Sequence, residues 1–189
     1  MNLNEEIIKV CFKIAKRSEG ALIVIGDCDY KPLVEQVVTP FSIIENPKLL
    51  ESLALMDGAV IIDKFGIMKA YGVMLKVNKL SMLKNFGTRH QSGLSASMNE
   101  GNTAYVVSEE DNKVRIFREG KLILEIDGRQ KNIEKNIPKI GTILETIGIG
   151  TIGSVGTTVL IPSLGLAIIP GVIIFGGAYY LINKIKEWK

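Results

Sequence analysis

Met56-Asp57-Gly58-Ala59 and Gly87-Thr88-Arg89-His90-Gln91 hold the residue types of this sequence that could act on a phosphate together. Asp57 stands at a Gly-marked turn directly before the apolar run Ala59 to Ile62, so its carboxylate is expected at the lip of a buried strand. The second stretch puts a Gly, a hydroxyl, a guanidinium and an imidazole at the start of an expected helix. Unpaired N–H groups and the positive dipole end there suit phosphate oxygens, and Arg89 adds a charge-assisted fork. A cation near a helix N-terminus is unfavourable against the dipole, which argues for a bound anion beside Arg89. An acid for metal or proton work facing a phosphate cradle is the arrangement that phosphoryl or nucleotidyl transfer requires. Taken singly the residues read more blandly: Asp-Gly is a common turn dipeptide, and His90 could be a satisfied, hydrogen-bonded histidine.

Composition narrows what such a site could serve. With 189 residues the chain has room for one ordinary domain and an appendage. The formal net charge of +3 carries no footprint of a nucleic-acid-coating surface, and no nucleic-acid partner is expected. Cys11 and Cys28 are too few for a disulfide framework and no secretory signal precedes them, so a reducing intracellular setting is expected. His90 is the only histidine, which excludes zinc sites that need two.

The elements that must position these residues can be read in order. Leu3, Ile7, Val10, Cys11 and Ile14 recur at helical spacing, with Glu5, Glu6, Lys9 and Lys13 opposite, so residues 1–19 read as an amphipathic helix docked on the domain core. Ala21 to Ile25 reads as a buried strand of the sheet centre, followed by Asp27 and Asp29 as turn residues. Pro32 to Ser42 shows no clear pattern and has room for a short strand. Asn46 is expected to cap a helix with Pro47 at its first position and Leu49, Leu50, Leu53 and Ala54 on its buried side; this helix delivers the chain to Asp57. Val60 to Ile62 and Ile67 to Val77 read as paired strands around a turn at Asp63 to Gly66. Gly87 to Glu100 reads as a helix with Thr88 as candidate cap, and Thr103 to Val107 as a strand leading into Ser108-Glu109-Glu110. A hairpin of Val114 to Phe117 and Leu122 to Ile126 follows.

Asp57-Gly58-Ala59, Gly87-Thr88-Arg89-His90 and Val107-Ser108-Glu109-Glu110, in that order and spacing, resemble the DGA, GTRHR and VSEE motifs of the diadenylate cyclases, which make cyclic di-AMP from ATP. The resemblance covers residues 20–127. It implies a nucleotidyltransferase that condenses two ATP into cyclic di-AMP and two pyrophosphates, with two domains face to face in a homodimer. It further implies that Asp57, Arg89 and His90 are catalytic, and that Gly58, Ala59, Leu75, Gly87, Thr88, Arg89, His90, Gln91 and Ser108 bind ATP. Asp57 and Glu109, with Glu110 as the alternative to Glu109, would hold Mg²⁺ or Mn²⁺. Two positions depart from the pattern. Gln91 stands where the family usually has a second Arg, and Met56 where many membrane-type members have His. Gln91 keeps a donor but loses charge and bidentate reach, so phosphate affinity is what the change touches. A catalytically weak sensor of ATP or cyclic di-AMP is the alternative function this departure suggests.

Composition shifts after Gly128. Residues 129–139 read as a polar, basic linker or helix start, and from Thr146 to Asn183 no residue is charged, well beyond the roughly 20 residues that cross a bilayer once. Ile140 to Ile161 and Leu164 to Ile182 read as two crossing segments broken at Pro162-Ser163, with lysines 131, 135 and 139 before them and 184, 186 and 189 after; a single span over Leu164 to Ile182 and a buried helical hairpin are the alternatives. The positive-inside rule then puts both flanks in the cytoplasm. The expected fold is therefore an α/β domain over residues 20–128, a mixed β-sheet flanked by helices, with a C-terminal hydrophobic helical hairpin over 140–189 that anchors a cytoplasmic catalytic domain to the cell membrane.

Overall fold

The computed structural model describes residues 2–33, 35, 39–76, 87–130, 133–148 and 172–174. Helix α1 (Leu3–Lys16) opens the chain; the Asn2 side chain caps it, accepting from the Asn4 amide at 2.8 Å, and Glu5, Glu6, Lys13 and Lys16 complement its dipole. Its apolar face is wider than the sequence reading, because Ile8, Phe12 and Ala15 are buried along with Ile7, Val10, Cys11 and Ile14. Strands β1 (Ala21–Ile25), β2 (Tyr30–Pro32), β3 (Ala59–Ile62), β4 (Met68–Leu75), β5 (Thr103–Val107), β6 (Lys113–Arg118), β7 (Lys121–Asp127) and β8 (Val172–Ile174) form one sheet in the order β2-β4-β3-β1-β5-β6-β7-β8. The β1–β3 pair is parallel and all other pairs are antiparallel, so the sheet is mixed, as expected. β1 and β5 are buried along their whole length, which is where a run of Val, Ile, Leu and Ala without polar alternation belongs.

Helices cover both faces. On one face α1 packs over β5 and β6, flanked by α2 (Pro47–Ala54) and α4 (Ile137–Gly148), around a core that includes Ile7, Ile14, Ile23, Val60, Tyr105 and Ile116. Each fully buried Ile contributes roughly 1.5–3 kcal/mol of transfer free energy. On the other face α3 (Thr88–Ala96) lies across β1 and β5, over Leu22, Val24, Ala104 and Val106. Gly93 allows this seat: a Cβ there would stand 2.5 Å from Val106 Cγ2 and 3.3 Å from Leu22 Cδ1. The residue at this position therefore sets how deep the whole helix sits, His90 one turn earlier included.

Local details depart from the sequence reading. Pro47 starts α2, but the Asn46 side chain makes no cap; its Nδ2 donates to the Ser42 carbonyl at 3.2 Å, and Leu49 faces solvent. Gly87 is the N-cap of α3, and Thr88 is its first helical residue rather than its cap. β5 ends at Val107, so Ser108 to Asp111 form a turn instead of continuing the strand alternation.

The tail differs more. Ile133–Asn136 form a turn of 3₁₀ helix that runs directly into α4, inside the stretch read as a linker or helix start. Ile133, Ile137, Ile140 and Leu144 are buried in the domain core, while Thr142 and Glu145 are exposed. Their i, i+4, i+7 and i+11 spacing makes one apolar stripe, which suits docking against α1. Arg118 Nη1 also donates to the Leu144 carbonyl at 3.0 Å, tying the end of α4 to β6. Val172 to Ile174, inside the second expected crossing segment, are extended and pair antiparallel with β7. Among the described residues no helix is long and apolar enough to cross a membrane. The rest of the expected hairpin, 149–171 and 175–189, lies outside the described residues.

Candidate active site

Register places the expected motifs at one end of the sheet. Ile23 of β1 is level with Val60 of β3 and Tyr105 of β5, and Ala21 with Val107, so Asp57, just before β3, and Ser108, just after β5, leave the sheet on the same side. Two strand spacings separate them, about 10 Å. α3 begins at this end as well: Arg89 Nη1 donates to Glu109 Oε2 at 3.1 Å, and both side chains are partly exposed. Gly87, Thr88, Arg89, His90, Ser108, Glu109 and Glu110 line a common cavity of about 170 Å³. The structure thus gathers the two motifs that the sequence separates by about twenty residues.

His90 is buried, and its imidazole is pushed down to about 4 by loss of solvent first and by the Arg115 guanidinium second. It is therefore neutral at physiological pH. Arg115 Nη1 lies 3.1 Å from His90 Nε2; a guanidinium only donates, so Nε2 accepts and the ring proton is on Nδ1. Arg115 also donates through Nε to Glu125 Oε2 at 2.8 Å and through both terminal nitrogens to Asp111. Lys113 Nζ donates to the second Glu125 oxygen at 2.7 Å. Burial alone would raise the Asp111 carboxyl, but hydrogen bonds from Arg115 and Ser108 outweigh it and hold the group below the usual carboxylate range. Two carboxylates balance Arg115 and Lys113, so this buried cluster does not replace the charge that Gln91 lacks. Gln91 itself is half-buried on α3.

Sequence reasoning missed Asp111, Arg115 and Glu125. A symmetric count back from the Glu119-Gly120 turn would set Arg115 opposite Leu124. An irregularity between Ile116 and Phe117 shifts the register, pairing Phe117 with Leu122 but Ile116 with Leu124, and so brings Glu125 opposite Arg115. The signal available was a charged residue inside an otherwise apolar strand.

Asp57 is exposed and its Oδ1 accepts the Gly58 amide at 2.9 Å. Gly58 has φ +96°, and a Cβ there would meet the Val73 nitrogen at 2.7 Å and oxygen at 2.8 Å. The β4 backbone thus requires a glycine at this position. Ala59 is buried at the start of β3. Leu75 stands apart from the small cavity, in the wall of a larger one of about 710 Å³ on the α3 side, with Asp29, Tyr30, Ser92, Ser95 and Asn99 among its lining. Asn102 fixes the segment that rims it, giving Nδ2 to the Asp27 and Ala96 carbonyls at 2.9 and 3.0 Å. Burial pushes Cys11 up to about 12 and Cys28 up to about 11, so neither thiol is a nucleophile at neutral pH.

The donors available for a metal are carboxylates. No group of three or more His, Cys, Asp or Glu among the described residues could hold an ion by itself. Carboxylates such as those of Asp57 and Glu109 suit a hard divalent cation that keeps several waters and takes other ligands from phosphate oxygens.

A family model described as DAC, DisA bacterial checkpoint controller nucleotide-binding, matches residues 8–122, and the chain belongs to this family. It is 30% identical over 139 residues to a diadenylate cyclase of Haloferax volcanii, covering 65% of this chain and 51% of that protein. To a diadenylate cyclase of Methanocaldococcus jannaschii it is 31% identical over 143 residues, 66% of this chain and 45% of that protein. The chain therefore spans about half the length of the curated relatives it matches. Among solved structures, DacA from Staphylococcus aureus aligns with a TM-score of 0.53 and 22% identity, over 78% of this chain and 96% of that one, a likeness of fold.

Proposed function

We propose that the protein is a diadenylate cyclase, joining two ATP molecules into cyclic di-AMP with release of two pyrophosphates. The observation that carries this reading is the meeting of Gly87 to His90 with Ser108 and Glu109 at one cavity, at the sheet end from which Asp57 projects. The α3 N-terminus and Arg89 hold phosphate oxygens, with Thr88 and Gln91 as further donors. Gly58, Ala59 and Ser108 shape the pocket, and the larger cavity walled by Leu75 takes the nucleoside, its volume being ordinary for such a ligand. Asp57 and Glu109, with Glu110 as the alternative, would hold Mg²⁺ or Mn²⁺, which would supply stabilisation of phosphate charge and a lowered pKa for the attacking hydroxyl. Arg89 turns to phosphate and Glu109 to the cation, so their ion pair is expected to break on substrate binding. His90, neutral in its environment, acts by hydrogen bonding and not as a cation.

One domain presents one ATP, so each 3′-hydroxyl reaches the other α-phosphorus only when two chains face each other as a homodimer. Most of the rate then comes from orientation and charge stabilisation. The uncharged run from Thr146 to Asn183 supports a membrane-attached form with the catalytic domain in the cytoplasm, which fractionation of expressing cells tests. Incubating the intact chain with ATP and either metal, then resolving products by chromatography and mass, tests the reaction. Cyclic di-AMP supports the enzyme. Stoichiometric binding without turnover would support the sensor reading that Gln91 motivates.

A further inference from the structure

Arg115 is nearly fully buried on the α3 side of β6, in the cross-strand row formed with Val106 of β5 and Glu125 of β7. Its guanidinium joins three parts of the chain. Glu125, itself held by Lys113, anchors Nε; Asp111, hydrogen-bonded to Ser108, takes both terminal nitrogens; and His90 of α3 accepts from Nη1 at 3.1 Å. One planar, five-donor group can serve these partners at once, and no other side chain has that fork. The bond to His90 has a chemical consequence, because a ring nitrogen facing a guanidinium cannot carry a proton.

We propose that Arg115 is a positioning residue of the active site: it locks His90 in the Nδ1–H tautomer and fixes the start of α3 against the Ser108–Asp111 turn. The inference rests on the proposed cyclase reading for its effect on turnover, but not for its effect on the ring. A residue that served only the stability of the hairpin would leave the His90 tautomer and the catalytic rate alone once stability was restored.

His90 is the only histidine, so ¹⁵N–¹H correlation of the labelled intact chain reads its tautomer without assignment ambiguity. The parent should give the Nδ1–H pattern at neutral pH. Arg115→Lys keeps one positive charge beside Glu125 but cannot span Glu125, Asp111 and His90 together, so the ring should move toward the Nε2–H form. Turnover with ATP should fall about tenfold to a hundredfold, the range seen when an outer partner of a reacting group is lost, while KM changes less than about threefold. Arg115→Met combined with Glu125→Leu removes the buried pair and leaves Asp111 and Lys113, both partly exposed, to solvent; it provides a second variant should Arg115→Lys fail to fold. It should show the same two changes. A parent Nε2–H pattern overturns the proposal, as does a folded variant with parental tautomer and parental turnover. A parent that shows the Nδ1–H form lost in both variants, yet makes no cyclic product, would leave the positioning of His90 standing and refute the cyclase reading instead.

Discussion

Replacing Gly58 with Ala separates two accounts of the Asp57-Gly58 turn. The residue has φ +96°, outside the space an L side chain readily occupies, at a cost of about 1–3 kcal/mol. The added Cβ would also stand 2.7 Å from the Val73 nitrogen and 2.8 Å from its oxygen. Those atoms belong to the β4 backbone, paired with Ala59 of β3, so relief requires moving a strand rather than turning a side chain. Overpacking of that kind costs typically about 1–3 kcal/mol. The total, about 2–6 kcal/mol, corresponds to roughly 4–24 °C in Tm for a chain of this size. Urea and thermal unfolding of parent and Gly58→Ala, each with and without ATP, measure it. If the glycine served only close approach of a nucleotide, stability without ATP would be unchanged and the ATP-induced shift alone would shrink. A loss below about 1 kcal/mol without ATP would refute the packing argument.

Gly93→Ala should destabilise despite a helix-propensity gain of about 1 kcal/mol, because its Cβ meets Val106 Cγ2 at 2.5 Å; a raised Tm would contradict the tight seat of α3. Stability should fall as pH drops from about 6.5 to about 4: the unfolded chain takes up a proton on His90 that the folded chain resists until its own value of about 4, so the unfolded state binds more protons across that window. The lowered Asp111 carboxyl acts in the same direction further into acid. Urea midpoints flat between pH 7 and 4 would contradict the His90 effect, and flat midpoints below pH 4 the Asp111 effect. Gln91→Arg should tighten ATP binding or raise turnover by adding a charged fork, whereas a clear loss of activity would mean that the pocket is built around Gln91.

The strands and helices of the domain were legible because their apolar runs are long and their turns are marked by Gly, Asp and Asn. Ala21 to Ile25 declared itself a central strand, and Asp63 to Gly66 a hairpin turn, by composition alone. The three motifs were legible for another reason, a shared pattern of residue types in order. What stayed hidden depends on depth and register. β2 is three exposed residues at an edge, too short to leave a periodic trace. The pairing of Arg115 with Glu125 depends on a one-residue slip that no local rule places. In the tail, mean hydropathy hid a stripe: Ile133, Ile137, Ile140 and Leu144 answer to α1, with exposed positions between them.

The central claim is that two copies of this chain, each with Asp57 at the sheet end shared by Arg89 and Glu109, condense two ATP. Its most direct test is the initial rate of cyclic di-AMP formation by the intact protein, with ATP and Mn²⁺, as the protein is diluted, with Asp57→Asn measured alongside. The account predicts a cyclic dinucleotide as product, a specific activity that falls as dilution separates the chains, and loss of product with Asp57→Asn while ATP still binds. A specific activity unchanged at concentrations where the chain sediments as a monomer, or an Asp57→Asn rate within about tenfold of the parent, only about 1.4 kcal/mol of barrier, would contradict it.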